Sequence, residues 1–95
     1  MSGTAGKVAL VNGTTALVGT TLTPGTYVDL IGFGTTATAF EGTGPAVAQT
    51  STSSDVRANG GCTDTNQNTS DFSLNTFASG TAPRSSATTA FVCTQ

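Results

Sequence analysis

An all-β fold is what this chain predicts, on three observations. Thr, Ser, Gly, Ala and Val make up the bulk of its 95 residues. Branching at Cβ suits Thr and Val to extended backbone, while Gly, Ser and Asn punctuate turns. Strong helix formers are scarce, with one Met, one Lys and one Glu in the chain. Short apolar runs of strand length alternate with turn dipeptides. A chain of this size makes a single domain, residues 1–95, and buries only about 60–65% of the surface its unfolded form exposes.

Residues 7–11 form the first expected strand. Both its faces are apolar after Lys7, which places it inside a sandwich. Asn12-Gly13 follows and is a strong hairpin signal, so residues 14–18 are expected to return beside it. Thr23-Pro24-Gly25 suits a type II turn. Residues 26–34 are the second clear strand, with Tyr27, Asp29, Ile31 and Phe33 on one face and Val28 and Leu30 on the other. Asp29 is odd in that company. It reads as a structural carboxylate at the sheet rim that accepts backbone N–H groups; the sharper alternative is a ligand or catalytic acid. No second acid or histidine stands near it in sequence.

Residues 35–40 are a weaker strand candidate, 41–45 a turn cluster, and 46–48 a stretch expected to pair briefly. Residues 55–58 suit a short edge strand. The polar stretch 60–71 ends on Phe72, where alternation of apolar and polar residues predicts a half-buried strand over 72–77. Residues 78–89 are irregular, and 90–93 close the chain.

Several function classes fall away. The net charge is −2, with Lys7, Arg57 and Arg84 the only cations. That offers nucleic acid no basic footprint and a membrane no polybasic anchor. No apolar run approaches the ~20 residues of a membrane helix, so membrane insertion is not expected. The chain contains no histidine, which removes the Ser-His-Asp triad and most zinc sites. No phosphate-cradling loop is present and no cofactor is expected. Asp64, Asn66 and Asn68 stand at alternate positions with Asp71 beyond, a spacing that calcium loops use. The turn glycine and the closing glutamate of such loops are replaced by Thr69 and Asn75. Successive Asx turns, in which these side chains bond their own backbone, are the preferred reading, and no metal is favoured.

A set of segments then resembles a known family. In order they are Lys7-Val8-Ala9-Leu10-Val11-Asn12, Val28-Asp29-Leu30-Ile31-Gly32-Phe33-Gly34, Phe40-Glu41-Gly42, Arg57-Ala58-Asn59-Gly60-Gly61-Cys62-Thr63-Asp64-Thr65-Asn66-Gln67-Asn68, Asp71-Phe72, Ala82-Pro83-Arg84-Ser85-Ser86 and Cys93. Together they are similar to the C-terminal part of bacterial lamin tail domains, with the Gly-Gly-Cys-Thr-Asp-Thr block the specific element. The resemblance implies an immunoglobulin-like β-sandwich, an extracellular or cell-surface location although this chain carries no export signal, and no catalytic residues. The family's opening strands have no counterpart here. A partial sandwich or small barrel completed by self-association is therefore the expected fold.

The single cysteine pair, in a chain that resembles exported proteins, leads to a Cys62–Cys93 disulfide. The leading functional expectation is a non-catalytic extracytoplasmic structural or interaction module whose partner is itself, as a homo-oligomer. A calcium-stabilised adhesion or matrix module and a filament-forming subunit are the alternatives. A small carboxylate hydrolase ranks last.

Overall fold

A computed structural model describes residues 2–20, 22–76 and 84–94. Its strands form two separate antiparallel pairs. Strand β1 (Gly6–Leu10) pairs with β2 (Asp29–Phe33), with Val8 opposite Ile31 and Leu10 opposite Asp29. Strand β3 (Ser53–Arg57) pairs with β4 (Phe72–Thr76), with Arg57 opposite Phe72. Residues 58–71 link β3 to β4 and contain two single turns, α1 (Ala58–Gly61) and α2 (Asn68–Asp71). The fold is sheet-rich, and among the described residues the sheets close neither a sandwich nor a barrel.

The Asn12-Gly13 hairpin does not form. Residues 12–15 bend and 16–18 run on without a ladder, so β1 takes β2 as its neighbour across a long connection. The local turn preference loses to the longer apolar match between the two strands. The type II turn does form: Thr26 N–H donates to the Thr23 carbonyl at 3.1 Å, with Gly25 at φ +98°. Residues 35–40 are a turn and irregular backbone, and 90–93 are likewise irregular. The brief pairing at 46–48 is a single parallel bridge between Phe33 and Ala46. Strand β4 is described as far as Thr76; Phe77, Ala82 and Pro83 lie outside the described residues.

Directly opposed residues share a face, so the first sheet has two distinct sides. Ala9 and Leu30 face the segment at Ala39 and Phe40. A side chain at Gly32 would run into the Ala39 carbonyl, so that segment lies directly on the sheet. Val8, Leu10, Ile31 and Phe33 occupy the other face. Among the described residues the buried apolar set is small: Leu30, Phe33, Ala39 and Ala46. Strand β1 was expected to be covered on both faces, yet Val8 is 49% and Leu10 61% exposed.

Candidate functional site

Polar side chains join the two sheets where Arg57 ends β3. Its Nη2 donates to Asp29 Oδ2 at 2.6 Å, and its Nη1 donates to the Thr63 carbonyl at 3.0 Å. Asp64 Oδ1 stands 3.5 Å and Asp71 Oδ2 4.0 Å from the same Nη1. The guanidinium carbon lies 4.5 Å from the centre of the Phe72 ring, within cation–π range. One cation thus connects β2, the 58–71 connection and β4. Asp29 sits at the sheet rim and accepts a backbone N–H as the sequence suggests: its Oδ1 takes the Leu30 N–H at 3.0 Å. Its principal partner, Arg57, is 28 residues away.

The 58–71 connection has its shape for identifiable reasons. Asn59, Gly60 and Gly61 all have positive φ, and a side chain at Gly60 would overlap the Phe91 ring. Arg84 Nη1 donates to the Gly60 carbonyl at 3.1 Å. The Gly-Gly step thereby seats the C-terminal segment beside Cys62, whose Cα lies 5.4 Å from that of Cys93 in the Cys62–Cys93 disulfide. Asp64 Oδ1 then accepts the Asn66 N–H at 3.2 Å, the Asx turn expected there, with Asn66 at φ +56°.

Asp71 and Asn68 behave differently from that expectation. Asp71 is buried and accepts three hydrogen bonds, from the Thr65 N–H and hydroxyl and the Gln67 N–H. Burial opposes its ionised form, but the Thr65 and Gln67 donors together with Arg57 outweigh it and hold the carboxyl below the usual range. Asn68 makes no Asx turn. Its side chain is fully buried and reaches across the fold: Oδ1 accepts from Gly32 N–H at 2.8 Å and Glu41 N–H at 3.1 Å, and Nδ2 donates to the Leu30 carbonyl at 3.0 Å. Its own N–H donates to the Glu41 carbonyl at 2.9 Å. The side-chain amide thus does for the outer edge of β2 what a neighbouring strand would do. The buried polar groups of that edge need such a partner.

The four calcium candidates are therefore not brought together as one ligand set. Asn68 is committed to backbone groups and Asp71 to the Thr65 and Gln67 donors, while Asp64 joins two acids from elsewhere. One carboxylate oxygen each from Asp29, Glu41 and Asp64 lie within 4.8 Å of one another. Glu41 is 6% exposed, and its Oε2 is buried with no hydrogen-bond partner. Burial raises its pKa most, and the charges of Asp29 and Asp64 add to the rise while Arg57 opposes it. An open cleft lined by Leu22, Pro24, Tyr27, Phe40, Glu41 and Asn66 lies alongside. The Tyr27 hydroxyl pKa is raised by burial and then by Glu41. The cluster offers hard oxygen donors and unbalanced negative charge.

Sequence reading missed Glu41 and the assembly of the three acids. They stand at positions 29, 41 and 64, separations that follow no ligand motif. The single available signal was the isolated Asp29 in an apolar strand. Among the described residues, no helix is long and apolar enough to cross a membrane. Comparison with family models, with curated proteins and with solved structures gives no match to this chain.

Proposed function

We propose that the chain is a non-catalytic structural and interaction module that works outside the cytoplasm and completes its fold by pairing with a second copy of itself. The observation that carries this reading is the open side of β1. Gly32 N–H and Leu30 C=O bond outward to Asn68, so the ladder alternation turns the N–H and C=O of Lys7 and Ala9 away from β2. No described strand meets them. Val8 and Leu10 of the same strand stand exposed. Unpaired edges with few charges to guard them invite strand addition.

A second copy suits this edge because a two-fold antiparallel pairing of β1 with β1 buries both open edges at once. Lys7 does not guard it, since its Nζ is turned to the Gly19 and Thr20 carbonyls and the Thr38 hydroxyl. The Cys62–Cys93 disulfide supports an oxidising compartment. The resemblance to lamin tail domains agrees with a module of this kind.

Light scattering coupled to size exclusion tests the reading. The expected particle at tens of micromolar is a dimer, and Ala9→Pro, which cannot donate to a new ladder, returns it to a monomer. A folded wild-type monomer at that concentration refutes it. A mass that grows with concentration without limit would replace the closed dimer with a filament.

A further inference from the structure

We propose that Asp29, Glu41 and Asp64 form a calcium site that ties the first sheet to the 58–71 connection. Their oxygens come from the start of β2, from the turn after Phe40 and from the segment after Cys62. They lie within 4.8 Å of one another. Oxygens on a calcium shell of about 2.3–2.6 Å radius lie up to about 4.5 Å apart when three spread evenly around the ion, so these three converge on one cation with only small side-chain shifts.

Glu41 is the independent sign that a cation belongs there. Its carboxylate is almost wholly buried, it contributes an oxygen to the cluster, and its Oε2 has no donor among the described residues. An ionised carboxylate is costly to bury unless it is paired or coordinates a metal. Arg57 does not fill this role, because its donors go to Asp29 and the Thr63 carbonyl. Asp29, Asp64 and Asp71 lie within 4.0 Å of that one guanidinium and Glu41 adjoins Asp29 and Asp64, so four of the chain's five acids share one cation. The donors are all oxygen, there is no histidine, and both cysteines are in the disulfide. Such a set selects a hard cation. Asp64 is half-exposed and Glu41 borders the open cleft, so water can complete the six to eight ligands that calcium takes.

This site shares only Asp64 with the alternate-position loop, and it does not depend on self-association. Thermal unfolding with about 5 mM calcium, an equal concentration of magnesium, or chelator tests it at an affinity typical of extracellular modules. Calcium about tenfold above its Kd raises the Tm of a chain this size by about 5–10 °C, and magnesium raises it less. Glu41→Gln and Asp64→Asn abolish the rise; Asp64→Asn keeps an oxygen for the Asn66 N–H. Asp55→Asn, outside the cluster, retains the rise.

A second readout needs no unfolding. Tyr27 is the only tyrosine, there is no tryptophan, and Tyr27 lines the same cleft as Glu41. Terbium bound at the site is excited through Tyr27, and calcium displaces it. Tyr27→Phe removes the luminescence but keeps the calcium-dependent Tm. No calcium-dependent change in either measurement overturns the proposal. So does a rise that survives in both Glu41→Gln and Asp64→Asn, since it would then be a general ionic effect.

Discussion

Asn68→Leu tests whether one side-chain amide stands in for a strand. The substitution keeps the branched shape and heavy-atom count and adds no charge. It orphans three buried groups at once: the Gly32 N–H, the Glu41 N–H and the Leu30 carbonyl. Each buried group left without a partner costs about 1–3 kcal/mol, so the loss is at least about 3 kcal/mol. Domains of this kind have about 5–15 kcal/mol in total, so the variant is strongly destabilised or unfolded. Asn68→Asp separates the contributions. It keeps an acceptor for both N–H groups but turns a carboxylate oxygen toward the Leu30 carbonyl. The amide's orientation is fixed by these partners, since two donors meet one end and a carbonyl meets the other. Gln67→Ala is the control. Its Oε1 accepts from the Thr43 N–H and hydroxyl at exposed positions, and its loss should cost under about 1 kcal/mol. Urea unfolding with the disulfide intact measures all three. An Asn68→Leu cost below about 1 kcal/mol would mean that water or a neighbouring strand already serves that edge, and the strand-substitute argument would fail.

Two further expectations concern the 58–71 connection. Reducing Cys62–Cys93, whose cysteines are 31 positions apart, removes about 3–4 kcal/mol on the chain-entropy model, and the Tm falls by more than about 10 °C under reductant; an unchanged Tm would contradict it. Asp71 is held below the usual carboxyl range, so its stabilising contribution is complete above the unfolded value of about 4 and is lost as pH falls through the folded one. The stability gap between wild type and Asp71→Asn is therefore about 1.5–3 kcal/mol at pH 6, from hydrogen bonds to a charged group, and narrows as pH falls below the unfolded value; urea midpoints of both proteins from pH 6 downward give a pH-independent gap if the reasoning is wrong.

Strand content was legible where it depended on local pattern. Strands β2 and β4 stand within the runs 26–34 and 72–77 where pattern places them, β3 begins two residues before the expected 55–58, and the Thr23-Pro24-Gly25 turn forms as its residues dictate. The errors are of two kinds. Asn12-Gly13 is a strong local signal, but β1 finds a five-residue apolar partner in β2, and a two-residue turn preference cannot compete with that ladder. Val8 and Leu10 looked buried because both faces of the strand are apolar, yet burial needs a cover, and that is a property of the whole chain. The polar site was not legible for a different reason. Asn68 bonds to residues 27 to 38 positions away, and Asp29 finds Arg57 28 positions away. No periodicity carries such distances, and alternate oxygen side chains fit Asx turns, a calcium loop and the observed long-range network equally well.

The position of the acids follows from how the two sheets are joined. A larger chain would pack one sheet on the other through an apolar layer about 10 Å thick. Here four buried apolar residues cannot supply that layer, and the ends of the sheets meet through Arg57 instead. A guanidinium can serve several carboxylates because its five donors spread over a plane. Each acid that it gathers also brings charge that one cation does not balance. Asp71 escapes the penalty through the Thr65 and Gln67 donors, and Asp29 through direct pairing. Glu41 has neither, and its buried Oε2 faces no donor. The unbalanced site is thus a consequence of building the sheet-to-sheet junction from charge, and Arg57→Met should expose it. With the guanidinium gone, repulsion among Asp29, Glu41 and Asp64 is unopposed, so the variant should be less stable than wild type in chelator and recover more of its stability when calcium is added.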